Sequence, residues 1–396
     1  MAFEIAAIDA FHVTSGGHDY WQSYRAENRQ ESARYVLKPG WRTVYGKQVE
    51  TCIVKLTLRS GQVGWGEATE PIVPEVIAQL ATELIGPLSR GTSFASVDEF
   101  RDFAYDLNRG RGHIAGYELL AIAALDIALC DALAKAENKP LAALFGATPP
   151  SGQRLYLSGL RRNTLEERAA FLAERVAEGF TAAKLFVDSD SEATIAEVAA
   201  LKERVPGDWD IMVDALWSYN DPEKAAAFSA RLADFEALWF ECPLVPEALA
   251  DHRRLRRAGG TPIAIGETFF TAWQLRDWLE AEAFDIYQPD IGRTGFAGGV
   301  HQAKMARQAG VRLTPHMGTG SPIVQSAALH YHAAECGELP CEFQIDLASF
   351  LPDVFASGWR MAEGKATIPD APGLGVAIDE EALRRHLLKT HSYAAD

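Results

Sequence analysis

Seven polar side chains recur at near-equal intervals through the second half of this sequence: Lys184, Asp214, Glu241, Glu267, Asp290, His316 and Glu342. The intervals are 30, 27, 26, 23, 26 and 26 residues, and each residue closes or follows a short apolar run. A residue that returns once per strand–helix unit points to the same end of a barrel every time, the end where barrel active sites are built. Any single strand-end acid is more often a helix N-cap or a turn residue. Asp214, Glu241 and Glu267 on three successive strands are a different case, because converging carboxylates repel unless a cation lies between them. Hard oxygen donors with room for water and substrate oxygens suit Mg²⁺. Zinc favours His or Cys, and neither stands at these three strand ends. Asp290 and His316 follow on adjacent strands. A carboxylate beside an imidazole fixes its tautomer and raises its basicity, which makes His316 a candidate general base.

The elements that must hold these residues are legible as a repeat. From Arg154 onward, short strands (RLYLSG, TAAKLFV, WDIMVD, EALWFE, PIAIGE, FDIYQPD, VRLTPH, PCEFQID) alternate with helical stretches such as LEERAAFLAERVAEG. That alternation implies a parallel sheet with helical crossovers. Eight strands and seven intervening helices predict a closed barrel, with an open doubly wound sheet as the rival. Ahead of the repeat, VETCIVKLTLRS, a Gly61 turn and QVGWGEA read as a β-hairpin. The stretch ELLAIAALDIALCDALAKA is apolar nearly all round, so it is expected to be buried between domains.

Composition sets the class. The 396 residues are 48% hydrophobic and 23% charged, ordinary for a globular protein with a large and a smaller domain. A net charge of −16 argues against nucleic acid or an anionic membrane as partner. The five cysteines form no CxxC pair, and no apolar run approaches a membrane span. Glu4 and Asp9 interrupt the apolar stretch a signal peptide needs, so a cytoplasmic protein is expected. An anionic substrate would then need local positive charge. The irregular stretch from Thr14 to Lys47 carries Trp21, Tyr24, Arg25, Arg29, Arg34, Lys38 and Arg42. It is expected to close over the barrel mouth, with Trp21, Tyr24, Arg25 and Lys38 as substrate contacts. IGRTGFAGG lacks the GxGxxG spacing of a phosphate loop and reads as a turn. His330 and His332 are two apart on a helical stretch, face different ways, and do not look like ligands.

With these motifs in hand, the sequence resembles the enolase superfamily, and within it the mandelate racemase subgroup. AAKLFV, MVDALW, WFECPL, IAIGET, YQPDIGRTG, LTPHMGTG, CEFQIDLAS and the tail IPDAPGLGVAID carry the resemblance, which spans nearly the whole chain. It implies a modified (β/α)7β TIM-type barrel at 131–350, capped by an α+β domain made from 1–130 and a returning segment at 351–396. It implies Mg²⁺ on Asp214, Glu241 and Glu267, a His316–Asp290 dyad as base, and catalytic roles for Lys184 and Glu342. Glu342 is expected to be protonated and to donate a hydrogen bond to the substrate carboxylate. A small anionic sugar acid is the implied substrate, and a homo-oligomer the expected assembly. One departure matters. Racemases of the subgroup carry Lys-x-Lys on the second strand, and residues i and i+2 share a face. Here the second place is Phe186. One base suffices for β-elimination, so dehydration of an acid sugar is the expected reaction and racemisation or epimerisation the alternative. Tyr219 or a residue from the capping loop could stand in for the missing lysine, and a barrel aldolase using Lys184 as a Schiff base is a rival from another class.

Overall fold

The structure, a computed structural model, describes residues 2–15, 30–38, 41, 43–148, 152–347 and 350–395. The cap is built on an antiparallel sheet ordered Leu387–Ala394, Ile5–Thr14, Glu50–Leu58, Val63–Glu67. The hairpin read from the sequence forms its edge, with Ile53 opposite Glu67 and Thr57 opposite Val63. Alternation along Val63–Glu67 puts Gly64 and Gly66 on one face. A Cβ added at either would lie 1.9 Å from the carbonyl oxygen of Ala128 or Ala124. The helix Tyr117–Ala136 therefore rests backbone against backbone on that strand. Trp65, on the opposite face, stacks on Phe11 at 6.0 Å.

That helix is buried along most of its length, as its all-round apolar composition requires. Toward the barrel, its Asp126 accepts hydrogen bonds from the N–H groups of Phe296, Ala297 and Gly298 at 2.9, 3.0 and 3.2 Å. These are the first residues of the barrel helix Phe296–Gln308, whose end donors would otherwise be orphaned. Arg101 pairs with the same carboxylate at 2.5 Å. The helix also runs straight through position 130, where the sequence reading sets the domain boundary, and the first barrel strand begins at Gln153.

The barrel strands are Gln153–Ser158, Ala182–Phe186, Asp210–Asp214, Phe240–Glu241, Ile263–Ile265, Ile286–Tyr287, Arg312–Leu313 and Cys341–Phe343. The first seven pair in sequence order, all parallel. The eighth pairs in parallel with the first, Cys341 opposite Leu155, and the Thr314 hydroxyl donates to the Pro340 carbonyl at 2.8 Å between the seventh and eighth. The ring is closed, and the open-sheet rival is excluded. Tyr156, Met212, Trp239, Ala264 and Ile286 fill the interior below the polar end, so the site has a packed apolar floor. After the eighth strand the chain pairs Lys365–Thr367 antiparallel with the start of the first strand. It then passes through the helix Glu380–Arg385 and joins the cap sheet as Leu387–Ala394, His391 opposite Ala10. Among the described residues, no helix is long and apolar enough to cross a membrane.

Candidate active site

The three carboxylates meet. Asp214, Glu241 and Glu267 are buried at the ends of the third, fourth and fifth strands, each offering an oxygen within 4.8 Å of the others. The backbone is bent hard to aim them. Leu216, Trp217 and Cys242 lie in the left-handed region at φ 47°, 57° and 43°, each costing about 1–3 kcal/mol. The Asp214 carboxylate accepts the Leu216 N–H at 2.9 Å and holds the first bend in place. Gly266, just before Glu267, has φ 131°, and an added Cβ there would meet the Tyr287 ring at 2.5 Å. Gly266→Ala is therefore expected to destabilise the fold by about 1–3 kcal/mol in urea denaturation, and to misplace Glu267. Burial, then the Glu241 charge, pushes the Asp214 pKa well up, and burial raises that of Glu267. Three buried acids set against one another in this way fit a divalent cation.

Lys184 lies beneath them, fully buried. Its ammonium is 2.5 Å from Glu241, 2.9 Å from Glu342 and 3.4 Å from Asp214. Burial lowers its pKa, but the charges of Glu241 and Glu342 outweigh burial and drive it upward. A Schiff-base lysine needs a neutral amine, so the aldolase reading fails on this geometry. Glu342 also departs from expectation. It accepts from the Ser158 hydroxyl at 2.5 Å, from the Met317 N–H at 2.7 Å and from Lys184. Burial favours its neutral form, yet Lys184, His316 and these donors outweigh that and bring its pKa down. The donors around it and the Lys184 charge favour its ionised form over the protonated donor expected from the sequence.

The dyad forms as read. His316 Nδ1 donates to Asp290 Oδ2 at 2.8 Å, leaving Nε2 toward the carboxylate cluster, 3.2 Å from Glu267. Asp290 Oδ1 accepts from the Gly292 N–H at 2.8 Å and the Thr69 hydroxyl at 2.9 Å. Burial would lower the His316 pKa, but Glu267, Glu342 and Asp290 together raise it to about 10.

A cavity of about 500 Å³ opens above these groups, lined by Glu267, His316 and Glu342 on the barrel side and by residues 43–46, 48–49 and 69–72 from the cap. Phe186 stands opposite Asp214 in register and lines this cavity. Its ring fills the space left by Gly159, where a Cβ would lie 2.3 Å away, and the Arg161 guanidinium stacks on it at 5.1 Å. The second strand is four strands from the sixth, so Phe186 stands across the barrel from the dyad. Tyr219 does not take the lysine's place. It is buried against Phe228 and Phe240, with its hydroxyl 2.8 Å from Ser191 Oγ.

Of the expected substrate contacts, Trp21, Tyr24 and Arg25 lie outside the described residues. Lys38 is buried, its ammonium 4.9 Å from the Trp41 ring and 5.4 Å from that of Tyr45. Its place is in supporting the hairpin Tyr35–Lys38/Thr43–Gly46, whose Tyr45 lines the cavity. Arg34 ties the same hairpin to the cap, reaching Glu50 at 2.5 Å and Glu75 at 2.7 Å. It thereby supplies the cation for a second acidic group, His12, Glu50 and Glu75. His330 and His332 are core residues, accepting from the Ala142 N–H at 3.2 Å and bonding Gln153 at 2.7 Å respectively.

Sequence reasoning missed Thr69, Arg161 and Arg293, all of which line the cavity. Arg293 donates to the Glu267 carbonyl at 2.8 Å, and Arg161 donates to the Ser158 carbonyl at 2.8 Å and to Gln344 at 2.7 Å. The two arginines bring positive charge to the mouth of an acidic protein. Their position just past strand ends (LSGLRR, QPDIGRTG) was the available signal.

Comparison with known proteins agrees with this geometry. A family model described as Enolase C-terminal domain-like matches residues 167–382, and one described as Mandelate racemase / muconate lactonizing enzyme, N-terminal domain, matches 36–146. The chain is similar to the D-galactarolactone cycloisomerase of Agrobacterium fabrum, 33% identical over 84% of this chain and 89% of that protein. It is 25% identical to the D-xylonate dehydratase of Haloferax volcanii, over 83% of this chain and 82% of that one. A crystal structure of an enolase superfamily member from Agrobacterium tumefaciens superposes with a TM-score of 0.90 at 28% identity, covering 97% of this chain and 99% of the other. With its carboxylate triad, its His–Asp pair and a cap closing the barrel, the chain belongs to the enolase superfamily, in the mandelate racemase and muconate lactonizing enzyme group.

Proposed function

We propose that this enzyme removes the proton α to the carboxylate of an acid sugar, an aldonate or aldarate, and expels the β-hydroxyl to give a 2-keto-3-deoxy acid. The observation that carries the reading is the pairing of one His316–Asp290 base with an apolar Phe186 across the cavity. A two-base racemisation needs a proton carrier on each face of the α-carbon. Lys184 is a poor substitute, because it is buried and held as an ammonium among three carboxylates.

In this reading His316 Nε2 takes the α-proton while Asp290 holds the ring by Nδ1. The C–H electron pair forms the C2–C3 double bond, and the C3–O bond breaks. The leaving hydroxyl takes the proton from the imidazolium and departs as water, and the enol ketonises by gaining a proton at C3. Asp214, Glu241 and Glu267 would hold Mg²⁺, which would supply positive charge where the substrate carboxylate gains negative charge and would offset the Glu267 charge 3.2 Å from His316 Nε2. Lys184 adds fixed positive charge from below, and ionised Glu342 holds Lys184 and the Met317 N–H in place. Arg161 and Arg293 suit an anionic substrate.

The 33% identity to a cycloisomerase favours a second reading of the same base chemistry. There the leaving group is the ring oxygen of a sugar-acid lactone, and the product is an isomer. Incubating acid sugars and their lactones with the Mg²⁺-loaded enzyme separates the cases by mass spectrometry. The expected product has lost one water; a chromatographically distinct product of unchanged mass from a lactone supports cycloisomerisation. Equilibration of two C2 epimers without water loss would remove both.

A further inference from the structure

We propose that Thr69, supplied by the cap, is a positioning residue for the His316–Asp290 dyad, so that the base is fully set only while cap and barrel are docked. The inference rests on the reading of that dyad as the base. Its starting point is the Asp290 carboxylate, which has two oxygens with different duties. Oδ2 accepts from the imidazole at 2.8 Å. Oδ1 takes the Thr69 hydroxyl at 2.9 Å and the Gly292 N–H at 2.8 Å. Two donors on one oxygen fix the rotation of the carboxylate, and that rotation decides whether Oδ2 faces Nδ1. The barrel provides one of these donors and the cap provides the other.

Thr69 is also wedged between the two loops that carry the dyad. Its N–H donates to the Gly292 carbonyl at 3.1 Å. A Cβ at Gly292 would lie 2.0 Å from the Thr69 hydroxyl oxygen, and one at Gly318 would lie 2.6 Å from its methyl. Both glycines leave the room that Thr69 occupies. Two residues earlier, the buried Glu67 accepts from the Ser321 N–H at 3.0 Å and its hydroxyl at 2.5 Å, at the start of the helix that follows His316. One strand end therefore grips the loop after the sixth strand and the loop after the seventh.

A wedge needs only the shape of Thr69, whereas positioning needs its hydroxyl. Thr69→Val keeps the shape and removes the donor; Thr69→Ser keeps the donor. In the Mg²⁺-loaded enzyme, Thr69→Val should lower kcat and α-proton exchange in D2O about tenfold, as expected for losing a hydrogen bond to a charged group, with KM nearly unchanged. Thr69→Ser should retain most of the wild-type kcat. A readout without substrate is the downfield proton resonance of His316 Nδ1–H, assigned by its loss in His316→Asn. It should move or broaden in Thr69→Val and persist in Thr69→Ser. An unmoved resonance in Thr69→Val, or equal losses in the two variants with that resonance intact, would overturn the proposal. If the wild type transforms no acid sugar, the elimination reading fails, while the resonance still decides the role of Thr69.

Discussion

His316→Asn should lose elimination and α-proton exchange together, by about 10⁴-fold, the upper end for general acid–base catalysis. The size follows from double duty, since the same imidazole takes the α-proton and returns a proton to the leaving hydroxyl. Asparagine keeps an N–H that can reach Asp290 Oδ2, now 2.8 Å from Nδ1, so the buried carboxylate is not stranded. The fold should therefore survive, and circular dichroism with thermal unfolding checks that it does. Quenched reactions in D2O then separate the steps. In the wild type, the product should carry deuterium at C3, where the enol ketonises, and recovered substrate should report any exchange at C2. If His316→Asn still exchanges the α-proton at the wild-type rate, another group is the base. Phe186, stacked with Arg161 and seated over Gly159, gives no such group on the far face.

The parts of this site that repeat were legible, and the parts that depend on a single tertiary contact were not. Asp214, Glu241 and Glu267 sit one strand–helix unit apart, so the barrel repeat itself implies that they converge, and they do. The same argument brought His316 beside Asp290. The buried helix Tyr117–Ala136 was readable because it has no polar face. Its role in the cap was not, since the glycine contacts that seat it belong to a strand some fifty residues earlier. Glu342 shows the limit most clearly. Its charge state is set by Ser158, Lys184 and the Met317 N–H, from three other places in the chain, and no local pattern encodes that. Lys38 was read by charge alone, and charge does not say that its side chain turns back onto Trp41 and Tyr45. Thr69 is 221 residues from the carboxylate it touches and carries neither charge nor periodicity.

Asp214→Asn should cost about a thousandfold in kcat and abolish the response of the protein to Mg²⁺, while leaving the metal-free fold as stable or more so. The opposed directions come from one fact, that Asp214 is buried among acids and pays for its charge when no cation shares it. Burial and Glu241 hold its pKa well up, and Lys184 at 3.4 Å offsets this only in part. Asparagine removes the charge at nearly constant shape and can still accept the Leu216 N–H that Asp214 takes at 2.9 Å, so the left-handed bend after the third strand is kept. Mutual repulsion among the carboxylates falls, and Lys184 keeps Glu241 and Glu342 as partners at 2.5 and 2.9 Å. With Mg²⁺ present the balance reverses. A ligand at a hundred times its Kd adds about 2.7 kcal/mol of stability to the native state, and that gain should appear as a rise in Tm for the wild type alone. The rate loss reflects several kcal/mol of electrostatic stabilisation withheld from the developing anion. Thermal unfolding with and without Mg²⁺, alongside turnover in excess EDTA, tests both halves. Full activity of the wild type in EDTA, or an unaltered Mg²⁺ shift in Asp214→Asn, would refute the assignment of this cluster as the metal site.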